Sequence, residues 1–570
     1  MTQLIPPKLF FRIALLSAGL FTVTSALPAQ VVVTNGPQIG SSNPITADPP
    51  VARPHTKPCT VQLFTNEQFA DFNIKDFSYA PPSDCHGPWA KVVFSADFTV
   101  TAGRQFDRTA EFLIGNMNIY YGTTAEPRAT LSPSWHVESD VTDLSAGLKA
   151  PQTGHAILGN FVGESGGVNY TGIIYANAQL DFYPADFRDR APRVADEVVP
   201  LPTASLGAFT LNTTADQLSQ SVTLPRNTEE AYLDVFAQSQ SGDEFWWTCV
   251  PSDVAGKLES CGNTAFRETE ITIDGKPAGI APVYPWIYTG GVDPYLWEPI
   301  PGVQTLNFKP FRVNLTPFAG VLSDGNAHDV GISVYNANSY FLATANLLVF
   351  TDPHAQRTNG GLLSDTLSAA PSPMVSEQLT TDSSGNVSGT VGVSSRRSYS
   401  ISGWTTTSHG RVTTTVGGTV NFSNNQKFSI NSTQYVQDIT QGTTMDVSTT
   451  QRQGVLSTTE TKRYSYPLKF LIDEEFASDG SASELNTSDQ GFEENTDTFL
   501  GPLRLFHGSV SNEVVSNDTD LFSASGAFLG PSNTSSTQTY KASNTLGYCY
   551  GRKLTSAANK LTAVDNVSCH

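Results

Sequence analysis

The chain reads as an all-β protein, antiparallel sandwiches followed by a third β-rich region, and two observations carry that reading. Short runs of alternating or continuous apolar residues recur, each closed by Gly, Asn, Asp, Ser or Pro; examples are Trp89 to Val100, Thr109 to Tyr121, Val168 to Tyr183, Ala231 to Ala237, Val330 to Tyr335 and Ala343 to Phe350. Charged residues make up only 15% of the chain while Gly and Pro together number 80, so turns are many and solvated helices few.

Residues 1–29 have the pattern of a secretory signal: Lys8 and Arg12, then an apolar run from Ile13 to Val23, then small residues around Ala26 and Ala29. That run is shorter than the roughly 20 apolar residues needed to span a bilayer. A first β unit is expected over 55–186. An Arg-, Asp-, Glu- and Pro-rich stretch from Phe187 to Thr203 reads as a linker to a second unit over 204–352. A polar stretch from His354 to Ser384 leads into the third region, 385–570. There Val391, Val393, Tyr399, Ile401, Val412, Val416, Val420 and Phe422 stand singly among Ser, Thr and Gly, a period of two that predicts strands with one wet face.

The formal net charge is −20, and removal of residues 1–29 takes it to −22. A chain this acidic repels phosphate backbones and anionic lipid, which argues against nucleic acid and membrane partners and leaves neutral polymers such as carbohydrate. An exported, monomeric protein, secreted or periplasmic, is expected. Its six cysteines pair by proximity as Cys59 with Cys85, Cys249 with Cys261 and Cys549 with Cys569. With no C-x-x-C, no H-E-x-x-H and nine scattered histidines, neither a metal site nor a cofactor is expected. Gly163-Glu164-Ser165-Gly166-Gly167 has the form of a serine-hydrolase elbow, but the sequence after it is β-like where the elbow needs a helix.

Polar clusters that could carry chemistry all precede residue 300. In the turn Gly103-Arg104-Gln105-Phe106-Asp107-Arg108, a carboxylate lies between basic residues at the entrance to an apolar strand, which would fix its direction. Strand alternation puts Asp107 on the side of Thr109 and Glu111, so Glu111 is a candidate to tune it. The run Ile157 to Asn160 closes an apolar segment. Asp243-Glu244-Phe245-Trp246-Trp247 sets acids beside rings able to stack on sugar, and a Cys249–Cys261 bridge would bring Phe266-Arg267-Glu268 into the same neighbourhood.

With Thr124-Ala125-Glu126-Pro127, Leu158-Gly159-Asn160, Tyr288-Thr289-Gly290-Gly291, Pro294-Tyr295-Leu296-Trp297, Thr316-Pro317-Phe318 and Thr407-Ser408-His409-Gly410 added in order, the chain resembles the peptide-N-glycosidase A family. These are amidases that release N-glycans. The Phe106-Asp107-Arg108 turn, followed by Asp140-Val141-Thr142-Asp143, also resembles the bacterial F-type enzymes, whose two jelly rolls meet at the active site. The resemblance implies two jelly rolls over residues 55–352, N-glycosylated peptides as substrate, and Asp107 as the main catalytic carboxylate. The two assisting glutamates of the F type fall near Asn160 and Asn263, neither acidic, so the helping acid is expected to be Glu244 or Glu268. Arg267, with Asn160, would hold the oxyanion. Arg108, Trp246, Trp247 and Trp297 are the expected substrate contacts, and an acidic pH optimum is expected. The same residues would also serve a non-catalytic carbohydrate-binding protein or a two-carboxylate glycosidase.

Overall fold

The computed structural model describes residues 36–203 and 205–570; the signal-like segment and Ala204, the first residue expected of the second unit, lie outside them. Two β-sandwiches follow one another, and each has the jelly-roll strand order. In the first, one sheet runs Cys59–Phe69, Ile174–Pro184, Trp89–Val100, Ser134–Asp140, and the other Lys75–Tyr79, Gln152–Ile157, Thr109–Ile114, Met117–Thr123. Trp89–Val100 is central in its sheet and buried on both faces, which is why its sequence is a continuous apolar run. The second sandwich repeats the plan. Glu197–Leu201, Tyr340–Thr351, Thr228–Gln240 and Phe311–Asn314 form one sheet, with Phe209–Leu211 also paired to Tyr340–Thr351. Leu218–Val222, His328–Tyr335, Glu268–Ile273 and Lys276–Pro282 form the other. The expected linker therefore contributes an edge strand, Glu197–Leu201.

The sandwiches meet along Met117–Thr123. The Asn346 amide donates to the Asn118 carbonyl at 2.8 Å, and the Tyr121 hydroxyl donates to Gln238 Oε1 at 2.6 Å. Glu111 lies in this seam, where Asn118 Nδ2 and the Ala208 N–H each donate to it at 2.9 Å. It is thus spoken for, and it does not tune Asp107.

The third region is one antiparallel sheet of eleven strands, several of about twenty residues. It begins at Asn359, earlier than the composition suggested, because Asn359–Asp365 and Met374–Thr381 both pair with Val387–Thr407. Its inward residues, among them Val391, Phe422, Ile439 and Phe470, share one core with the second sandwich. That cover explains the alternation of single apolar residues: one face is dry, the other wet. Three disulfides, Cys59–Cys85, Cys249–Cys261 and Cys549–Cys569, close as proximity predicted. No helix among the described residues is long and apolar enough to cross a membrane. The Gly163–Ser165 strand turns directly into Val168–Tyr170, a hairpin with no helix, so Ser165 has no elbow geometry.

Candidate active site

Three carboxylates gather where the end of the first sandwich meets loops of the second. Asp107 stands in the irregular turn ahead of strand Thr109–Ile114, and its Oδ2 accepts from the Gly290 N–H at 2.9 Å. Its own N–H donates to Glu126 Oε2 at 3.2 Å. Glu126 is held in turn: its N–H donates to Thr289 Oγ1 at 2.8 Å, and that hydroxyl donates to the Thr124 carbonyl at 2.8 Å. Gly290 has to be small here, since a Cβ on it would stand 2.0 Å from Glu126 Oε2 and 3.2 Å from Asp107 Oδ1. Glu244 completes the group from the bend between two single 3-10 turns, Ser241–Asp243 and Trp246–Thr248.

The electrostatics separate these acids. Burial pushes Asp107 up to about 6, against the opposing pull of the Gly290 N–H and the Arg108 charge. Glu126 is pushed up to about 8, by burial first and then by the Asp107 charge. Glu244 also reaches about 8, by burial and again by Asp107. Near neutral pH the site therefore holds one ionised carboxylate between two protonated ones, an arrangement that supplies a base and acids together. Arg104 and Arg108 flank the Phe106 ring at 5.6 and 5.7 Å, and the buried Nε–H of each has no partner among the described residues.

Raised carboxyl pKa values carry a stability consequence. Each such group contributes stability that is full below its unfolded value near 4 and is lost as pH rises through its folded value. Asp107 (about 6), Glu111 and Glu268 (each about 7), and Glu126 and Glu244 (each about 8) all act in this direction. The unfolding midpoint is therefore expected to be higher at pH 5 than at pH 8.5. Scanning calorimetry that found it equal or higher at the alkaline pH would contradict this placement of the acids.

Several expected site residues do other work. Arg267 is buried against Asp243, with Nη2 at 2.7 Å from Oδ1, and Nη1 donates to the Thr264 and Phe266 carbonyls at 3.0 and 2.9 Å. Asp243 Oδ2 accepts from the Asn338 and Ser339 N–H groups at 2.7 and 2.8 Å. This pair locks the turn that carries Glu244 and leaves Arg267 no route to an oxyanion. Glu268 is buried and paired with Arg397 of the third region. Asn160 is fully buried, its amide donating to the Phe69 and Gly172 carbonyls at 2.9 and 3.1 Å. Trp246 and Trp247 are 0% exposed and pack on Phe422 and Phe470. Trp297 is also buried, donating to the Gly291 carbonyl at 2.8 Å. None of the three rings has a face free for sugar.

The third sheet holds the Glu244 segment from behind. Asn424, Gln437 and Gln426 donate side-chain amides to the carbonyls of Trp247, Thr248 and Cys249 at 2.8, 2.9 and 3.0 Å. Open aromatic surface lies elsewhere. A line of rings runs from exposed Phe72 to Phe161 at 6.5 Å, to Tyr170 at 5.8 Å and to Phe106 at 5.2 Å, ending beside Asp107.

Comparison with known proteins shows the family. Residues 49–367 match the family model described as peptide N-acetyl-β-D-glucosaminyl asparaginase amidase A, and the chain belongs to that family. It is 31% identical over 387 residues to the peptide-N4-(N-acetyl-β-glucosaminyl)asparagine amidase A of Prunus dulcis. The match covers 64% of this chain and 66% of the almond protein, just under two thirds of that relative's length. Among solved structures, PNGase F, a glycosylasparaginase from Flavobacterium meningosepticum, aligns over 52% of this chain and 96% of its own at 12% identity, with a TM-score of 0.36. PNGF-II aligns over 52% of this chain and 66% of its own at 13% identity, with a TM-score of 0.35.

Proposed function

We propose that the protein hydrolyses the amide joining N-acetylglucosamine to an asparagine side chain in N-glycosylated peptides. The observation that carries the reading is the ionisable Asp107, held on the Gly290 N–H between two carboxyls that stay protonated near neutral pH. The Asp107 carboxylate takes a proton from water as the water oxygen bonds to the side-chain carbonyl carbon. The Arg108 and Arg104 guanidinium charges, which act on Asp107 and Glu126, replace Arg267 as the positive charge beside the oxyanion. When the C–N bond breaks, Glu244 gives its proton to the departing glycosylamine nitrogen; the released glycosylamine is later hydrolysed by a second water to the free sugar and ammonia. Glu126 keeps the Asp107 backbone in place. The line of rings from Phe72 to Phe106, rather than the buried tryptophans, is the surface for the sugar.

The rate is then expected to peak between the two values, near neutral pH and above the acidic optimum expected from the sequence: it rises as Asp107 ionises through about 6 and falls as Glu244 loses its proton through about 8. Three disulfides suit an oxidising, extracytoplasmic compartment. Residues 1–29 would direct the chain there, and it would act as a monomer on peptides rather than on nucleic acid or membranes. Mass analysis of the peptide product tests the reaction. An aspartate in place of the glycosylated asparagine is expected; asparagine carrying one sugar would show a glycosidase, and an unchanged glycopeptide a binding protein.

A further inference from the structure

A second polar centre lies behind the active-site loop. Strands Ala482–Leu500 and Leu503–Phe522 pair so that Asn486 faces Asp518 and Ser488 faces Ser516, all four with side chains turned into the protein. Asp293, in the loop three residues beyond Gly290, reaches down onto them. Carboxylate oxygens of Asp293, Asp518 and Asp520 lie within 4.8 Å of one another. Asp518 is 0% exposed, and its oxygens face the carboxyls of Asp293 and Asp520 with no N–H or hydroxyl donor among the described residues. Asp293 Oδ2, Asp520 Oδ1, Asn486 Oδ1 and the hydroxyls of Ser488 and Ser516 are buried and lack such a donor as well. Buried polar atoms in native proteins find partners almost without exception, and buried charges find counter-charges. Seven unsatisfied atoms thus lie on this loop and strand pair, all of them oxygen, the three carboxylates converge, and among the described residues no cationic side chain bonds to any of the seven.

We propose that Asp293, Asp518, Asp520 and Asn486 bind a divalent cation, calcium by the donor set, which pins the Gly290 loop to the third sheet. Calcium takes six to eight oxygens in flexible geometry, including bidentate carboxylates. The absence of histidine and cysteine from the group disfavours zinc, and magnesium would demand stricter octahedral geometry with several waters. Asp293 Oδ1 is already fixed by the Tyr295 N–H at 2.9 Å, which aims Oδ2 at the cluster. The inference revises the sequence-level expectation of no metal. It does not depend on the proposed reaction, because its readouts are binding and stability.

The test is calorimetric titration of the chelator-stripped, full-length protein with calcium chloride, together with thermal unfolding. One equivalent should bind, and a hundredfold excess over Kd should raise the unfolding midpoint by roughly 2 °C. Asp518→Asn should abolish both signals. Asp520→Asn, at a less buried position, should weaken binding by about tenfold or more while keeping the native circular dichroism spectrum. No heat and no shift at millimolar calcium would overturn the proposal and leave the acids sharing protons. Wild-type binding by both variants would overturn it equally, by placing the ion elsewhere.

Discussion

Asp107→Asn is expected to lower kcat on an N-glycosylated peptide by about 10³-fold or more, the scale of removing a positioned base, while the protein stays folded. The amide is nearly the same shape and its oxygen still accepts from the Gly290 N–H, so the turn keeps its bond. Removing an acid whose pKa is raised by burial also removes a group that burdens the fold when ionised, so the unfolding midpoint at pH 8 should be unchanged or higher. This combination discriminates: a merely structural aspartate would lose stability along with activity. The basic limb of any residual activity should persist, since it belongs to Glu244. Turnover within a few-fold of wild type would remove Asp107 from the chemistry.

What could be read from the residues alone, and what could not, follows from how far apart the interacting groups lie in the chain. The sandwiches were legible because period-two alternation is local, and their jelly-roll form only through the resemblance that the motif series along residues 103–318 carries. The Asp107 turn was legible as a candidate because it sits directly ahead of a strand. Glu126 stood within a quoted motif without a role, since its bond to Asp107 is made 19 residues away and its space depends on Gly290, 164 residues on. The tryptophans were misread for a similar reason. An aromatic pair beside acids looks the same whether open or covered, and the cover here comes from Phe422 and Phe470 of the third sheet. Arg267 and Glu268 each found an opposite charge, Asp243 and Arg397, that no spacing rule relates to them. The line from Phe72 to Phe106 was invisible as a unit because its rings come from separate segments. Polar residues of the third region read as solvated, yet Asn424, Gln426 and Gln437 face inward and donate to the backbone behind Glu244.

Gly290→Ala is expected to cost about 10² in kcat with a smaller change in KM, because displacement of a reacting group by about 1 Å has that effect. The new methyl would stand 2.0 Å from Glu126 Oε2, so either the glutamate swings away or the Gly290 loop backs off. In the first case the Asp107 N–H loses its acceptor; in the second, Asp107 Oδ2 loses the Gly290 N–H. Both outcomes turn the carboxylate from its path to water, and overpacking of this kind also costs about 1–3 kcal/mol of stability. Gly256→Ala is the matched control, as a Cβ there meets nothing within 4 Å. Pairing Gly290→Ala with Glu126→Asp separates crowding from general damage. The shorter acid withdraws by one methylene, so the double variant should recover part of the lost rate even though Glu126→Asp alone lowers it. If the two losses simply add, the Gly290 methyl acts through something other than Glu126, and the close packing of the loop on the two carboxyls is not what holds Asp107 in position.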